Sequence, residues 1–346
     1  MIMEKFFCAH LSREAGEDIV GCAPDYQTYI LIECTGPWAP KAFESKGVPD
    51  NLRALVAEMS CAQMPVRFLL VEPERQQTDS DIRVMVFRKQ MGLSNGYCKW
   101  DCRVADITHV APLVKRYLTS HTLGSDWVES RTRDLLVCTH GSHDQCCARY
   151  GYPFYRQALK ILSESDMGSV RVWQVSHIGG HRFAPTLIDL PTGRYYGALD
   201  PVSFKSILQR TGSVDCYRSI YRGWGILPKP IQVMERELIL RHGWEWLDYK
   251  VTWQMIEQDP KKLPLQVKLT GVSPEAQQLI YVADIVEDET KTLNLIGSCK
   301  SQQASRFVKF AVHNLCLFKE PVPLSMPKYR APQSTLTAPR SSAEVV

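Results

Sequence analysis

Cys138, Cys147, His177 and His181 are the residues of this sequence best suited by type and spacing to hold a soft metal centre. The two cysteines lie in VCTHGSHDQCCARYG, residues 137 to 151, between an apolar run and a helix start. The two histidines bracket a Gly-Gly pair in QVSHIGGHRF, again directly after an apolar run. Thiolate and imidazole together suit tetrahedral Zn²⁺ or an iron–sulfur cluster of mixed ligation. Structural zinc sites usually take their cysteines from a tighter knuckle. The longer loop between Cys138 and Cys147 better spans a two-iron rhomb, so [2Fe–2S] is preferred and Zn²⁺ is kept as the alternative. Two adjacent glycines disfavour a helix across HIGGH, which predicts a tight loop that folds both rings toward one centre.

The neighbouring residues receive plainer readings. Adjacent side chains do not easily reach one ion, so Cys146 is read as a spectator beside Cys147. Alternatively the vicinal pair Cys146 and Cys147 forms a thiol–disulfide oxidoreductase site, although the usual CxxC motif is missing. His140 and His143 could be hydrogen-bond donors behind the ligands but are read as solvated loop residues, and Arg182, which could place positive charge near an anionic cluster, is read as exposed. Cys8, Cys22, Cys61, Cys98, Cys102, Cys216, Cys299 and Cys316 are read as small packed hydrophobes.

Strand ends must position these ligands, and the chain writes the required unit twice. YILIEC ends at Cys34 and DLLVC at Cys138; VRFLLV begins at Val66 and VRVWQV at Val170, and both pairs are 104 residues apart. Helical periodicity fills the space between, with Asp50 as the expected N-cap of one helix and Pro153 at the first position of the other. Extended pieces follow: DIRVMVF in the first copy, and APTLIDL, a PTG turn and RYYGAL in the second, closed by a helix capped at Asp200. A βαβ unit followed by a hairpin and a helix is the order of a thioredoxin-like domain. The expected fold class is therefore α/β, with two such domains in tandem. Shifting by 104 pairs Cys34 with Cys138, Phe43 with Cys147, Pro73 with His177 and Gln77 with His181. Only the second copy keeps a full ligand set, so the first is read as degenerate.

The predicted domains are residues 1–128, a thioredoxin-like domain without a site; 129–215, the ligand-bearing domain; 216–320, a small α+β module; and 321–346, a Pro- and Ser-rich tail expected to be disordered. In the module, IQVMERELILRHGWEWL reads as helix and several short alternating runs as strands, with Trp224, Trp246 and Trp244 assigned to core packing.

At 346 residues, 45% hydrophobic and 23% charged with a net charge of +4, the composition lacks the basic excess of a nucleic-acid binder. No apolar run approaches the roughly 20 residues that cross a bilayer, and the N-terminal stretch does not read as a signal peptide. A cytosolic protein is expected, its twelve cysteines kept as thiols or ligands rather than as a disulfide framework. No G-x-G-x-x-G fingerprint occurs, so electrons for a redox centre are expected from a partner protein or a soluble donor.

LSREAGEDIVGCAP, ILIECTGPWAPKAF, VCTHGSHDQCCARYG, VSHIGGHRFAPTLIDLPTGRYYGALDP and YRGWG together resemble the sucrase/ferredoxin-like family, which belongs with the thioredoxin-like [2Fe–2S] ferredoxins. The resemblance runs from the N-terminus to about residue 245. It implies a [2Fe–2S] cluster held by Cys138, Cys147, His177 and His181, and an electron carrier more than an enzyme with its own substrate. No carboxylate pair suits the glycoside hydrolysis in the family's name. Imidazole in place of thiolate removes negative charge from such a cluster and raises its potential, and a ring nitrogen not bound to iron can titrate. One-electron transfer with a pH-dependent potential is the implied activity.

Overall fold

TYILIE, Thr28–Glu33, is apolar at its four central positions and buried at all six, the signature of a strand inside a sheet that is covered on both faces. In the computed structural model, which describes residues 6–73, 81–256 and 264–318, this strand is β1 near the centre of one half of a ten-stranded sheet.

The first half consists of α1 (Cys8–Glu14), β1 (Thr28–Glu33), α2 (Asp50–Cys61), β2 (Val66–Val71), β3 (Ile82–Lys89), β4 (Tyr97–Val104), α3 (Val110–Ser120) and the edge strand β5 (Val128–Glu129). The second half repeats the scheme with β6 (Arg133–Cys138), α4 (Tyr152–Ser163), β7 (Val170–Val175), β8 (Leu187–Leu190), β9 (Arg194–Tyr196) and α5 (Pro201–Gln209). α6 (Tyr217–Ile220), β10 (Tyr221–Trp224) and α7 (Lys229–His242) follow, then β11 (Lys250–Met255), β12 (Leu265–Val272), β13 (Gln278–Glu287), β14 (Leu293–Leu295), β15 (Ser305–Phe307) and β16 (Phe310–Phe318).

The large sheet runs β10-β9-β8-β6-β7-β2-β1-β3-β4-β5. In each half the first two strands pair in parallel and the third and fourth add antiparallel on the other side of the first. The α/β class is thus observed, with seven α-helices among the described residues. The halves share one sheet, a join the sequence did not announce. β2 meets β7 at Val71 and Val175, and Ser176 N donates to Leu70 O at 2.8 Å while Leu70 N donates to Ser176 Oγ at 2.9 Å.

One apolar layer holds α2 and α3 against one face of the first half. A second, larger layer lies under α4, α5 and α7 and runs on into the β11-β12-β13-β16 sheet. Trp224 and Trp246 are fully buried in it and Trp244 packs at its edge, as expected for core residues. β10 extends the large sheet beyond residue 215.

Local details correct two sequence readings. The residue before α2 is Pro49, with Asp50 inside the first turn, where its charge still favours the helix dipole. Pro153 is the second residue of α4, because a π-helical turn at Cys147–Gly151 precedes it. The Asp200 cap is confirmed, with a full capping box to Ser203. Gln77 and the Pro- and Ser-rich tail lie outside the described residues.

Candidate metal centre

β6 and β7 are parallel and adjacent, with Cys138 opposite Val175, so the loops that leave them emerge together at one sheet edge. The first loop carries Cys138 into the π-turn that begins at Cys147. Gly151 closes that turn so tightly on the strand that a Cβ there would lie 2.0 Å from the Cys138 carbonyl oxygen. The second loop is HIGGH, which turns through Gly179 and Gly180 at φ +85° and +74°, backbone that disfavours a helix as expected. A Cβ on Gly180 would also strike the Arg222 guanidinium, which is buried and donates to Gly179 O at 3.0 Å.

The Sγ atoms of Cys138 and Cys147 and a ring nitrogen of His177 all lie within 4.8 Å of one another. His177 Nδ1 faces both sulfurs, at 3.9 Å and 3.7 Å. His181 is adjacent, its ring centroid 5.4 Å from that of His177, but its Nδ1 faces Asp144 Oδ2 and Cys8 Sγ, each at 3.4 Å. Three of the four expected ligands therefore gather and the fourth borders them. Cys146 and Cys147 turn to different partners: Cys147 to His177, Cys146 to Cys8 at 3.5 Å and Cys299 at 3.3 Å.

The electrostatics favour one thiolate in the first pair. The hydrogen bond from Cys147 holds Cys138 well below the usual thiol range against the opposing effect of burial, while the same bond and burial push Cys147 up. Burial lowers His181 to about 4, more than Asp144 raises it, so the ring is a neutral donor at pH 7. Burial tends to raise the Asp144 carboxyl, but Cys146 N–H, His181 and Cys299 together hold it below the ordinary carboxylate value.

Several neighbours do more than the sequence suggested. His140, read as solvated, is buried; its Nδ1 accepts the His177 backbone N–H at 3.1 Å and its Nε2 donates to Ala39 O at 2.8 Å. His143 stacks on His177 with centroids 3.8 Å apart and faces Pro40 O through Nδ1. Ser142 Oγ donates to Trp38 O at 2.6 Å. The first half thus supplies three consecutive carbonyls that fasten the second half's ligand loop. Arg182, read as exposed, is largely covered, bonds to buried Glu17 and lies over the Phe307 ring. Arg67 donates to His177 O at 2.5 Å. The signal for His140 is its place in the same loop as the cysteines; no local signal marks Arg222 or Arg67.

The offset of 104 drifts by one residue in the first strand. Glu33 pairs with Val71 as Cys138 pairs with Val175, so Glu33 and not Cys34 is the counterpart of Cys138. Cys34 packs in the layer with Ile30 and Ile32 instead.

The family model described as sucrase/ferredoxin-like matches residues 19–223, which include both ligand loops and most of the large sheet. The chain belongs to the sucrase/ferredoxin-like family. A stretch of 95 residues, 26% of this chain, is 30% identical to altered inheritance of mitochondria protein 32 of Meyerozyma guilliermondii. That stretch spans 34% of the yeast protein's length. No solved structure matches the chain. In this member of the sucrase/ferredoxin-like family the Cys/His group can bind a metal: its donors are soft or borderline, close together and drawn from two loops braced from behind. No helix among the described residues is long and apolar enough to cross a membrane.

Proposed function

We propose that this chain is a one-electron carrier in which Cys138, Cys147, His177 and His181 hold a [2Fe–2S] cluster. The observation that carries the reading is the convergence of Cys138, Cys147 and His177 donors within 4.8 Å at the ends of two parallel strands, with the His181 ring beside them. The donor chemistry fits such a group: two thiols, one already inclined to ionise, and two imidazoles. When bound, the cluster supplies a site that accepts and returns one electron, at a potential raised by its neutral nitrogen ligands.

The protein's own residues set the rest. His140 and Arg67 fix the backbone of His177, and Arg222 fixes the glycine turn, so both rings keep their aim. His177 Nδ1 faces the sulfurs, which leaves Nε2 as the ring nitrogen not turned to them. A cleft of about 600 Å³ reaches His177 and His143 past Phe43, Met59 and Phe68, with Arg67, Lys41 and Lys300 at its walls. Electrons exchange there with a redox partner protein or a soluble donor.

On this reading each half is a thioredoxin-like domain, and the first, which offers carbonyls where the second offers ligands, has become a brace. The cysteines of the described structure are all free thiols, which suits a reducing compartment, and the cytosol is the one proposed. The closeness of the three donors also suits a single Zn²⁺, the second reading; iron content and colour separate the two.

Potentiometry across pH tests the proposal. The wild-type midpoint potential should fall as pH rises. His177→Cys should retain a cluster with a lower potential and a flatter pH response, since it adds a negative ligand and removes one of the two imidazoles. A pH-independent wild-type potential would contradict proton coupling through the imidazole ligands.

A further inference from the structure

Beside the proposed cluster lies a second group of soft ligands that the electron carrier does not need. Cys8, Cys146 and Cys299 form a triangle of sulfurs with edges of 3.5, 3.3 and 3.6 Å. Asp144 completes it: one ligand atom from each of the four residues lies within 4.8 Å of all the others. We propose that these four residues hold a zinc ion.

Geometry comes first. A tetrahedral Zn²⁺ with bonds of about 2.3 Å to sulfur keeps its sulfurs roughly 3.8 Å apart. The triangle needs to open by only a few tenths of an ångström, whereas a disulfide requires two of these sulfurs to close to about 2.05 Å.

The surroundings supply part of what thiolate ligands need. Cys8 and Cys146 are buried and Cys299 is half-buried, so charge on them needs compensation. Backbone N–H groups already supply part of it: Ala9 N donates to Cys146 Sγ at 3.4 Å and Cys8 N to Cys299 Sγ at 3.5 Å. Asp144 aims two of the three thiols, because its carboxylate accepts Cys146 N at 3.0 Å and Cys299 N at 3.1 Å, together with Ser298 Oγ. Three sulfurs select a soft or borderline ion, and Zn²⁺ takes Cys₃ plus one oxygen or nitrogen without redox chemistry.

Topology supplies the purpose. Cys8 stands at the start of α1, Cys146 immediately before the π-turn, and Cys299 in the connection between β14 and β15. One ion would therefore pin the N-terminal helix and the C-terminal hairpin over the HIGGH loop, beside the Glu17 contacts to Arg182 and Lys309 that join the same three regions. The site is structural, and it closes one side of the electron-transfer centre.

The test is metal analysis of the full-length protein, purified anaerobically with thiol reductant and supplied with Zn²⁺ alone. One zinc per chain is expected. Cys8→Ser and Cys299→Ser should each lower zinc at least tenfold and keep the visible spectrum, while Cys138→Ser should lose the colour and keep the zinc. Cobalt guards against misfolded variants: Co²⁺ added to the Cys138→Ser chain should give thiolate-to-cobalt absorption that vanishes when Cys299→Ser is added. A zinc content below a tenth per chain, zinc indifferent to Cys8 and Cys299, or a disulfide among the three found by mass spectrometry would each overturn the proposal. The zinc and cobalt readouts do not depend on iron, so the zinc site stands or falls apart from the cluster.

Discussion

His140 takes the backbone N–H of His177 on Nδ1, 3.1 Å away, and so its other nitrogen must carry the proton that the Ala39 carbonyl accepts. One neutral imidazole therefore joins the ligand loop of the second half to the brace supplied by the first. His140→Ala breaks both bonds without replacing a proposed ligand. Loss of comparable outer supports typically costs 10–100-fold in metal retention. The visible absorption of the variant should decay roughly tenfold faster than wild type in a chelator; equal decay rates would remove His140 from the positioning machinery.

Glu17 is buried between Arg182, Lys309 and the Ser12 hydroxyl. Burial raises its carboxyl, but the bond and charge of Arg182 and then the Lys309 ammonium outweigh this and hold it below its ordinary value of 4.5. A folded-state value lower than the unfolded one means stability that is complete above about pH 4.5 and lost as pH falls through the folded value. Glu17→Gln should cost about 3–5 kcal/mol at pH 7, because two cations remain facing a neutral group. Its thermal midpoint should also fall less than that of wild type between pH 5 and pH 3. Parallel melting curves for the two proteins over that range would contradict the assignment.

Asp134 is a second buried anion, fully enclosed with Lys99 at 2.6 Å, Arg171 at 3.0 Å and the Trp173 indole N–H at 2.9 Å. It ties β4 of the first half to β6 and β7 of the second. Asp134→Ala should destabilise by about 3–5 kcal/mol, and Lys99→Met in the same chain should recover part of that by removing a buried ammonium left with only Asp101 and Thr132 as partners. Denaturant unfolding of the single and double variants measures both. A double variant no more stable than the single would show that the pair is not the source of the loss.

Gly151→Ala forces a methyl group against the Cys138 carbonyl. The backbone there cannot yield without separating the two cysteine-bearing segments. Reconstituted colour per chain should fall several-fold while far-UV circular dichroism stays close to wild type, whereas full colour would show that the π-turn tolerates displacement.

The strand ends and the meeting of Cys138, Cys147 and His177 there were legible in the sequence because the signals are local. Apolar runs mark β6 and β7, parallel pairing brings their loops to one edge, and Gly179 and Gly180 identify the turn. The register was less legible. A drift of one residue between β1 and β2 moves the side chain to the opposite face, so Cys34 looked like the counterpart of Cys138 when Glu33 is. Long-range chemistry was hidden altogether. Cys8 and Cys299 are 291 residues apart and read singly as small hydrophobes, and only the tertiary fold places them on Cys146. A polar, histidine-rich loop likewise reads as solvated until the carbonyls of Trp38, Ala39 and Pro40 are seen to cover it.

The visible and electron paramagnetic resonance spectra of the anaerobically purified protein, oxidised and then reduced, test the cluster most directly. The expected protein is red-brown, with a paramagnetic reduced state that shows coupling to two histidine nitrogens; the colour disappears in Cys138→Ser and Cys147→Ser and persists in Cys146→Ser. A colourless, iron-free wild type, or colour that survives Cys147→Ser and is lost in Cys146→Ser, would contradict the ligand set and the function built on it.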